Sequence, residues 1–442
     1  MEYLPNILFV LLLLVGVGYF ARNVGRLRRN ILLGKDVDVS DNRQERWKNM
    51  ARIALGQQKM VVRPIAGLLH FIVYVGFVII NIEVLEIIID GIFGTHRLFA
   101  FMGPLYDVLI ASFEILALLV IVAVVVFWLR RNVIRLKRFL KPEMKGWPKK
   151  DGNLILYIEL VLMVLFLTMN AADHQLQQMG AEGYAQAGAF PISSLLTPLL
   201  DGLSVQSLMV VERTAWWLHI AGILFFLNYL YFSKHLHILL AFPNTFYANL
   251  KPMGQFKNLE AVTNEVKMML DPAADPFASP ESAENEVPDK FGASDVMDLN
   301  WVQLLNAYTC TECGRCTSEC PANQTGKKLS PRKIMMDTRD RLEEVGKNLE
   351  ANKGTFKDDG KQLLDDYITR EELWACTSCN ACVEACPVSI DPLSIIMDMR
   401  QYLVMEQSAA PSDLNNMMGN IENNGAPWPF NQMDRLNWST ES

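Results

Sequence analysis

The chain has 442 residues, of which 51% are hydrophobic and 20% are charged, and its formal net charge is −7. Its mean hydropathy is +0.14. Such an apolar composition excludes a protein that is water-soluble throughout, and the charged fraction indicates a soluble part beside a membrane-embedded one. The negative net charge gives no reason to expect a nucleic-acid partner.

Five apolar stretches are long enough to cross a bilayer, which takes about 20 residues. They cover residues 3–19, 65–89, 106–129, 154–169 and 215–232, and the fourth is the shortest. The first and third loops between them are rich in Lys and Arg, whereas the second and fourth are nearly free of both. Because basic loops stay on the cytoplasmic side, the pattern predicts a prokaryotic inner-membrane protein. Its N-terminus would lie outside, and everything after the fifth helix would be cytoplasmic.

Four of the six histidines lie on or beside these stretches: His70 on the second, and His219, His235 and His237 on or just past the fifth. If the fifth helix continues to Pro243, His219 and His237 share one face, because 18 residues at about 100° each complete five turns. Antiparallel helices two and five would bring His70 close to His237 or His235 and predict a haem b there. A second haem on His219 is left open, since helix two offers no histidine at that depth. The alternative is an interfacial pair and hydrogen-bonded helix histidines, although ionisable residues in membranes are usually functional.

Ionisable residues also gather toward the other end of helices two and three. They are Glu83, Glu86, Glu114 and His96. Carboxylates and an imidazole at the end of a haem-bearing bundle can exchange protons with a quinone, so these four residues form a candidate quinone site. The alternative is that Asp90 and Arg97 are ordinary loop charges and that one of them pairs with Glu83 or Glu86.

After the fifth helix, Pro243 and Pro252 break the chain, and an acidic stretch rich in Pro, Ala and Ser follows. We expect four parts: a transmembrane domain (1–242), a tether (243–298), a cluster domain (299–406) and a polar tail (407–442). Within the third part, residues 330–349 predict an amphipathic helix opening with Ser330 as N-cap and Pro331 in the first turn. No alternating strand pattern is evident, so the predicted fold class is all-α.

Two cysteine runs with the spacing C-x-x-C-x-x-C-x-x-x-C-P dominate the third part, and they contain all eight cysteines. In two-cluster ferredoxins the fourth cysteine of each run ligates the other run's [4Fe–4S] cluster. The first predicted cluster therefore has the ligands Cys310, Cys313, Cys316 and Cys386, and the second has Cys376, Cys379, Cys382 and Cys320. The alternative is a pair of structural zinc sites, but zinc usually takes two Cys-x-x-Cys pairs from separate places.

The five-helix bundle with histidines in these positions resembles the nitrate reductase gamma subunit and the membrane subunit of heterodisulfide reductase. Residues 374–392, WACTSCNACVEACPVSIDP, resemble the iron–sulfur subunit of heterodisulfide reductase. That family performs its substrate chemistry on a module with Cys-Cys-Gly motifs, and this sequence contains no Cys-Cys pair. The resemblance therefore implies a separate cytoplasmic catalytic subunit that carries those motifs. Residues 421–430 resemble the segment after the clusters in such proteins, and we expect them to contact that subunit.

The sequence thus predicts a membrane electron-transfer subunit that links the quinone pool, through haem b and two clusters, to a cytoplasmic oxidoreductase. The alternative is a haem-free membrane anchor with a ferredoxin domain, in a larger redox assembly. An enzyme that reduces a small substrate at a cluster would need an open coordination site, and all eight cysteines are committed to ligation. Neither the direction of electron flow nor an activity of the chain by itself follows from the sequence.

Overall fold

The computed structural model describes residues 3–256, 258–271 and 290–440. This part of the chain is α-helical with isolated β-bridges and no β-strand, so the all-α fold class is confirmed. The helices are α1 Leu4–Ile31, α2 Arg43–Met50, α3 Pro64–Phe93, α4 Pro104–Asn132, α5 Trp147–Gln178, α6 Val205–Tyr229, α7 His237–Phe246, α8 Glu260–Leu270, α9 Trp301–Thr309, α10 Arg315–Glu319, α11 Pro321–Gln324, α12 Pro331–Ala351, α13 Leu363–Asp366, α14 Arg370–Trp374, α15 Ala381–Ala385, α16 Pro392–Met405 and α17 Ser412–Asn424.

Among the described residues, five helices are long and apolar enough to span a membrane: α1, α3, α4, α5, and α6 with the 3₁₀ turn that follows it. Proline in the first turn opens α3 and α4, where its missing N–H costs no helical hydrogen bond. The fourth membrane span, α5, is 32 residues long, so the expectation that it is the shortest span is wrong. Its last turns, after Met169, contain polar residues, and the apolar stretch in the sequence therefore ends before the helix does.

The fifth helix does not continue to Pro243, and that expectation is also wrong. Helix α6 ends at Tyr229, Ser233 is extended (φ −116°, ψ 148°), and α7 begins at His237. The Ser233 hydroxyl caps the next turn by accepting from the His235 N–H at 3.1 Å. Asp151 on α5 holds the break from the other side, because it accepts from the Lys234 N–H at 3.2 Å. His219 and His237 therefore lie on different helices.

The C-terminal part is built around α12, which begins at Pro331 with Ser330 as N-cap, as predicted. Its core also takes in Ala293 and Val296, which lie inside the predicted tether. The segment 272–289 of that tether lies outside the described residues. Helix α7 crosses the predicted boundary at 242. In the tail, α17 and the 3₁₀ turn Gln432–Ser439 bury no residue.

The cluster domain packs directly on the end of the bundle that carries the two basic loops. Carboxylates of the domain meet arginines of the first loop, as in Arg63–Glu319 at 2.7 Å. The third loop contributes Glu143, whose carboxylate accepts from the buried Arg332 guanidinium at 2.7 Å. Residues 35 and 300 join the two parts through a short parallel bridge. The basic loops and both cysteine runs consequently lie at the same end of the bundle.

Candidate redox centres

The two cysteine runs adopt matching loop conformations. The second and fourth residues after the first cysteine have positive φ in both: Glu312 (54°) and Gly314 (71°), and Ser378 (55°) and Asn380 (60°). Each loop then enters a five-residue helix, α10 or α15. Left-handed backbone at non-glycine residues is unfavourable and tends to persist where function requires it. The repeat of spacing and conformation identifies two equivalent ligand loops.

Cysteine side chains of the two runs lie close to one another. Cys386 lines the same small cavity as Cys310, Cys313 and Cys316, and Cys382 also reaches its wall. Charge interactions connect Cys320 with Cys376 and Cys382. In the described part of the chain, no three His, Cys, Asp or Glu side chains converge as ligands of a single ion would. A four-iron cluster does not require such convergence, because its four thiolates bind four different irons.

At the cluster end of the bundle, three histidines form what we call the histidine site: His70, His235 and His237. The ring centroids of His70 and His237 are 6.3 Å apart. His237 directs Nδ1 to the Lys234 carbonyl oxygen at 3.2 Å, which leaves Nε2 as a lone-pair donor in the manner of metal-binding histidines. Nδ1 of His70 is buried without a hydrogen-bond partner in the described residues. His235 instead directs Nε2 toward Glu159 on α5, at 3.5 Å.

These features fit a haem iron that His70 and His237 would hold between them. Two imidazoles that bind one metal ion from either side have ring centres roughly 6 Å apart, because each metal–nitrogen bond is about 2 Å and the ring centre lies about 1 Å behind the nitrogen. The unsatisfied nitrogen of His70 also favours a bound group over a purely structural role. His237 is better suited than His235 to bind the iron. The Nδ1 contact of His237 leaves its Nε2 available, whereas Nε2 of His235 is directed toward Glu159.

Two sets of short contacts join the histidine site to the first cysteine run. Lys234, whose carbonyl oxygen binds His237, forms an ion pair with Glu312 between Cys310 and Cys313. Burial by itself would raise the pKa of Glu312, but the charges of Lys234 and Arg339 hold it below its usual value. Arg315 on the same run donates to the Met60 carbonyl oxygen at 3.1 Å.

Met60 also lies against the helix that carries His70. A Cβ on Gly67, one turn before His70, would lie 3.0 Å from the Met60 carbonyl oxygen and 2.8 Å from the Val61 Cα. The lack of a side chain at Gly67 therefore allows the backbone of the first loop to pack against the helix, and the space beside it is not left for a cofactor. His237 is thus connected to the first ligand loop through Lys234. The helix that carries His70 is connected to the first run through Met60.

His219 is buried and lies elsewhere in the bundle. Its Nδ1 meets the Leu162 carbonyl oxygen at 3.0 Å, and its ring lies 6.0 Å from that of Phe166. The space beside Gly222 is filled by the Leu162 side chain, which a Cβ there would meet at 2.8 Å. Two other histidines have partners of their own, since His96 pairs with Asp173 and His174 contacts Gln178. The Nδ1 contact of His219 is of the same kind as that of His237, but the packing of Leu162 and Phe166 beside His219 does not fit a second haem.

At the opposite end, the four predicted acid-site residues come together around a buried arginine, and we call this group the acid cluster. Arg97 donates to Asp173 at 2.5 Å, to Asn170 at 2.9 Å and to the Tyr106 hydroxyl at 3.2 Å. Its exposed fraction is 8%, so Arg97 is not an ordinary loop charge. The sequence analysis missed Asn170, Asp173 and Tyr106, although two polar residues three positions apart late in an apolar helix mark a polar face.

The members of the acid cluster are not equally occupied. Glu114 accepts from the Ile192 and Ser193 N–H groups at 2.8 and 3.1 Å, and Glu86 accepts from the Phe99 N–H at 2.7 Å and from Tyr106 at 2.9 Å. In contrast, one carboxylate oxygen of Glu83 is buried without a partner among the described residues. His96 is partly exposed and lies 3.2 Å from Asp173. Glu83 therefore has an oxygen that can still form a hydrogen bond, and His96 is the member that solvent can reach.

The fold and the paired ligand loops define a membrane-embedded electron-transfer protein with a dicluster iron–sulfur domain. The family model for the 4Fe-4S dicluster domain matches residues 309–390, which include all eight cysteines. No solved structure matches the chain significantly.

Three relatives extend this result. The chain is 28% identical to the probable iron-sulfur-binding oxidoreductase FadF of Bacillus subtilis, over 99% of its own length and 61% of the relative. It is 25% identical to the EtfAB:quinone oxidoreductase of Syntrophomonas wolfei, over 98% and 59%. It is 32% identical to a probable membrane-anchored ferredoxin of Chromohalobacter salexigens, over 34% and 24%.

The homologues also include subunits C and D of heterodisulfide reductases from Methanosarcina species. The predicted resemblance to heterodisulfide reductase-related iron–sulfur proteins is thereby confirmed. The chain spans about three fifths of the length of the first two relatives.

Proposed function

We propose that this protein carries electrons between a cytoplasmic oxidoreductase and membrane quinone, through two [4Fe–4S] clusters and one haem b. The observation that carries the proposal is the junction between the two parts of the chain. Lys234 touches both the ligand loop of the first run, at Glu312, and the haem ligand His237. Electron carriers held on either side of this junction are neighbours.

The residues divide the work as follows. His70 and His237 hold the haem, which supplies a one-electron carrier inside the bundle. The crossed sets Cys310, Cys313, Cys316, Cys386 and Cys376, Cys379, Cys382, Cys320 hold the clusters. Cys379 is the exposed thiol of the eight, so the second cluster is the one that a soluble partner can approach. The membrane orientation follows the basic loops, with both clusters on the cytoplasmic face of a prokaryotic inner membrane.

The acid cluster serves the quinone. Quinone reduction takes up protons, which need donors close to the ring. Glu83, with its unpartnered oxygen, is one such donor, and His96, partly exposed beside Asp173, passes protons in from the nearer surface. Glu86 and Glu114 shape the site through their bonds to backbone N–H groups.

The partner is a redox module outside this sequence. Two of the homologues support this, since they are named as subunits of heterodisulfide reductases. The printed name of the Syntrophomonas wolfei relative, EtfAB:quinone oxidoreductase, makes EtfAB the donor to test first. A Cys-Cys-Gly module is the second candidate, supplied by another polypeptide or by a longer form of the chain.

The first experiment is a dithionite-minus-oxidised visible spectrum of the detergent-purified protein, quantified as haem per polypeptide. We expect one haem b, lost in His70→Ala and in His237→Ala and retained in the control His174→Ala, which lies at the other end of the bundle. Retention of haem in both site variants, with loss in His219→Ala, would contradict the ligand assignment. A haem-free wild-type protein with intact clusters would favour the anchored ferredoxin instead.

A further inference from the structure

The two ligand sets differ in the positive charge that surrounds them. Beside the first set lie three arginines: Arg138 from the third loop of the membrane domain, Arg315, and Arg332 on α12. Charge interactions connect Arg138 with Cys313, and Arg315 with Cys313 and Cys386. Arg332 lines the cavity that Cys310, Cys313, Cys316 and Cys386 share.

Arg332 has a donor to spare in that cavity. Its side chain is fully buried, and its terminal nitrogens donate to the Arg138 carbonyl oxygen at 2.8 Å and to the Glu143 carboxylate at 2.7 Å. Its Nε is buried without an acceptor in the described protein. A buried N–H without an acceptor is unfavourable, so the group that occupies the cavity has to provide one.

Arg138 repeats this pattern from the membrane side. Its Cβ lies 3.4 Å from where a Cβ on Gly314 would be, directly against the first ligand loop. Its Nε is likewise buried and has no partner in the described residues. The side chain otherwise stacks on Phe139, with 4.9 Å between the guanidinium carbon and the ring centre. Two independent elements therefore place an arginine with an unsatisfied Nε–H beside the same ligand set.

Among the described residues, the second set has a charge interaction between Arg400 and Cys376, but no arginine beside it has an unsatisfied Nε. Its nearby arginine, Arg400 on α16, donates to the Leu373 and Cys376 carbonyl oxygens at 2.6 and 2.5 Å and to the Ser378 hydroxyl at 3.3 Å. Its Nε also binds the Leu373 carbonyl oxygen, at 3.0 Å. Asp391 adds negative charge within electrostatic range of Cys382.

We propose that Arg332 and Arg138 donate Nε–H hydrogen bonds to sulfur atoms of the cluster held by Cys310, Cys313, Cys316 and Cys386, and thereby make it the more easily reduced of the two clusters. Positive charge and hydrogen bonds to sulfur stabilise the extra electron of a reduced cluster. Hydration at the exposed Cys379 acts in the opposite sense, but buried cations interact more strongly because little water screens them.

A direction of electron flow follows inside the chain. One electron leaves the reduced cluster near Cys379 and enters the oxidised cluster near Arg332, so transfer toward the membrane is downhill. This step rests on the ligand assignment of the proposed function. It requires a reduced partner that donates one electron at the exposed cluster.

The test is an EPR-monitored redox titration of the full chain in detergent, with Cys379→Ser used to identify the signal of the second cluster. In wild type we expect the first cluster to be reduced at the higher potential. Arg332→Gln should lower the equilibrium constant for its reduction at least tenfold, which is about 59 mV for one electron. Arg138→Gln should shift it less in the same direction, and Arg332→Lys, which keeps the charge, should fall between wild type and Arg332→Gln. The matched control Arg400→Gln should move the signal of the second cluster alone.

Unchanged potentials in Arg138→Gln and Arg332→Gln, with iron content retained, would overturn this inference and leave the proposed function standing. Arg332→Gln breaks the bond of Arg332 to Glu143 and could lose iron for that reason alone. In that case Arg138→Gln is the deciding variant, because the Arg138 side chain has no hydrogen bond to the described protein. Fewer than two clusters in the wild-type chain would overturn the ligand assignment itself.

Discussion

The two ends of the membrane bundle both bury ionisable side chains, but they satisfy them differently. In the acid cluster, Arg97 binds three partners, and Glu86 and Glu114 bind backbone N–H groups. In the histidine site, Nδ1 of His70 has no hydrogen-bond partner among the described residues. The ring centroids of His70 and His237 are 6.3 Å apart, which is the separation expected of two imidazoles that bind one metal ion. Satisfied groups stabilise a fold, whereas a buried polar group without a partner, such as Nδ1 of His70 or one oxygen of Glu83, calls for a functional explanation. Substitutions should therefore affect stability at one end and cofactor content at the other.

The largest loss of stability is expected for Arg97→Ala. Removing this guanidinium takes the arginine partner from the buried Asp173 carboxylate and leaves it with the weaker contacts of His96 and Gln177, which costs about 3–5 kcal/mol. Thermal unfolding in detergent, followed by tryptophan fluorescence, measures the effect. The control is Lys48→Ala, because Lys48 and its ion-pair partner Glu45 are both exposed. Equal losses in the two variants would show that the acid cluster does not stabilise the bundle.

A somewhat smaller loss, about 3 kcal/mol, is expected for Lys234→Met, because Glu312 and Asp151 then lose a buried cation. Since Lys234 bridges the bundle and the cluster domain, limited proteolysis should also cut between the two parts more readily. The control Lys328→Met breaks an exposed pair with Glu371 and should leave the unfolding midpoint unchanged. Unaltered proteolysis of Lys234→Met would mean that other contacts hold the junction.

Glu83→Leu should behave in the opposite way, with a gain in stability of about 1 kcal/mol, because it removes a buried oxygen without a partner. Quinone reduction should fall in the same variant, since a proton donor is lost. Glu114→Leu is the informative comparison, because it breaks bonds to Ile192 and Ser193 and should destabilise the bundle. Full quinone reduction in Glu83→Leu would remove this carboxylate from the proposed quinone site.

The smallest change in stability is expected for His70→Ala in haem-free protein, because this imidazole has no hydrogen bond to lose. His219→Ala loses the bond to Leu162 and should cost more. Comparison of the two unfolding midpoints, without haem, separates the histidine site from a structural histidine. A larger loss at His70 than at His219 would reverse their assignments.

Several features were available from the sequence because they depend on local spacing. The cysteine runs specify their ligand loops, the Ser330–Pro331 pair specifies the start of α12, and apolar length specifies the five spans. The meeting of His70 and His237 was also predictable, since antiparallel neighbours that begin and end at one face bring those positions together. Each of these inferences needs only the chain's own periodicity.

Tertiary structure decided the rest, because it depends on partners distant in sequence. Asp151, far along the chain, helps to hold the break at Ser233 that places His219 and His237 on different helices. Arg97 resembles an ordinary loop charge in the sequence, and only its contacts with Asn170 and Asp173 show that it is the buried centre of the acid cluster. The spare donors of Arg138 and Arg332 exist only because two separate parts of the chain close around one ligand set. Sequence determined which groups could bind cofactors, and packing determined which of them remained free to do so.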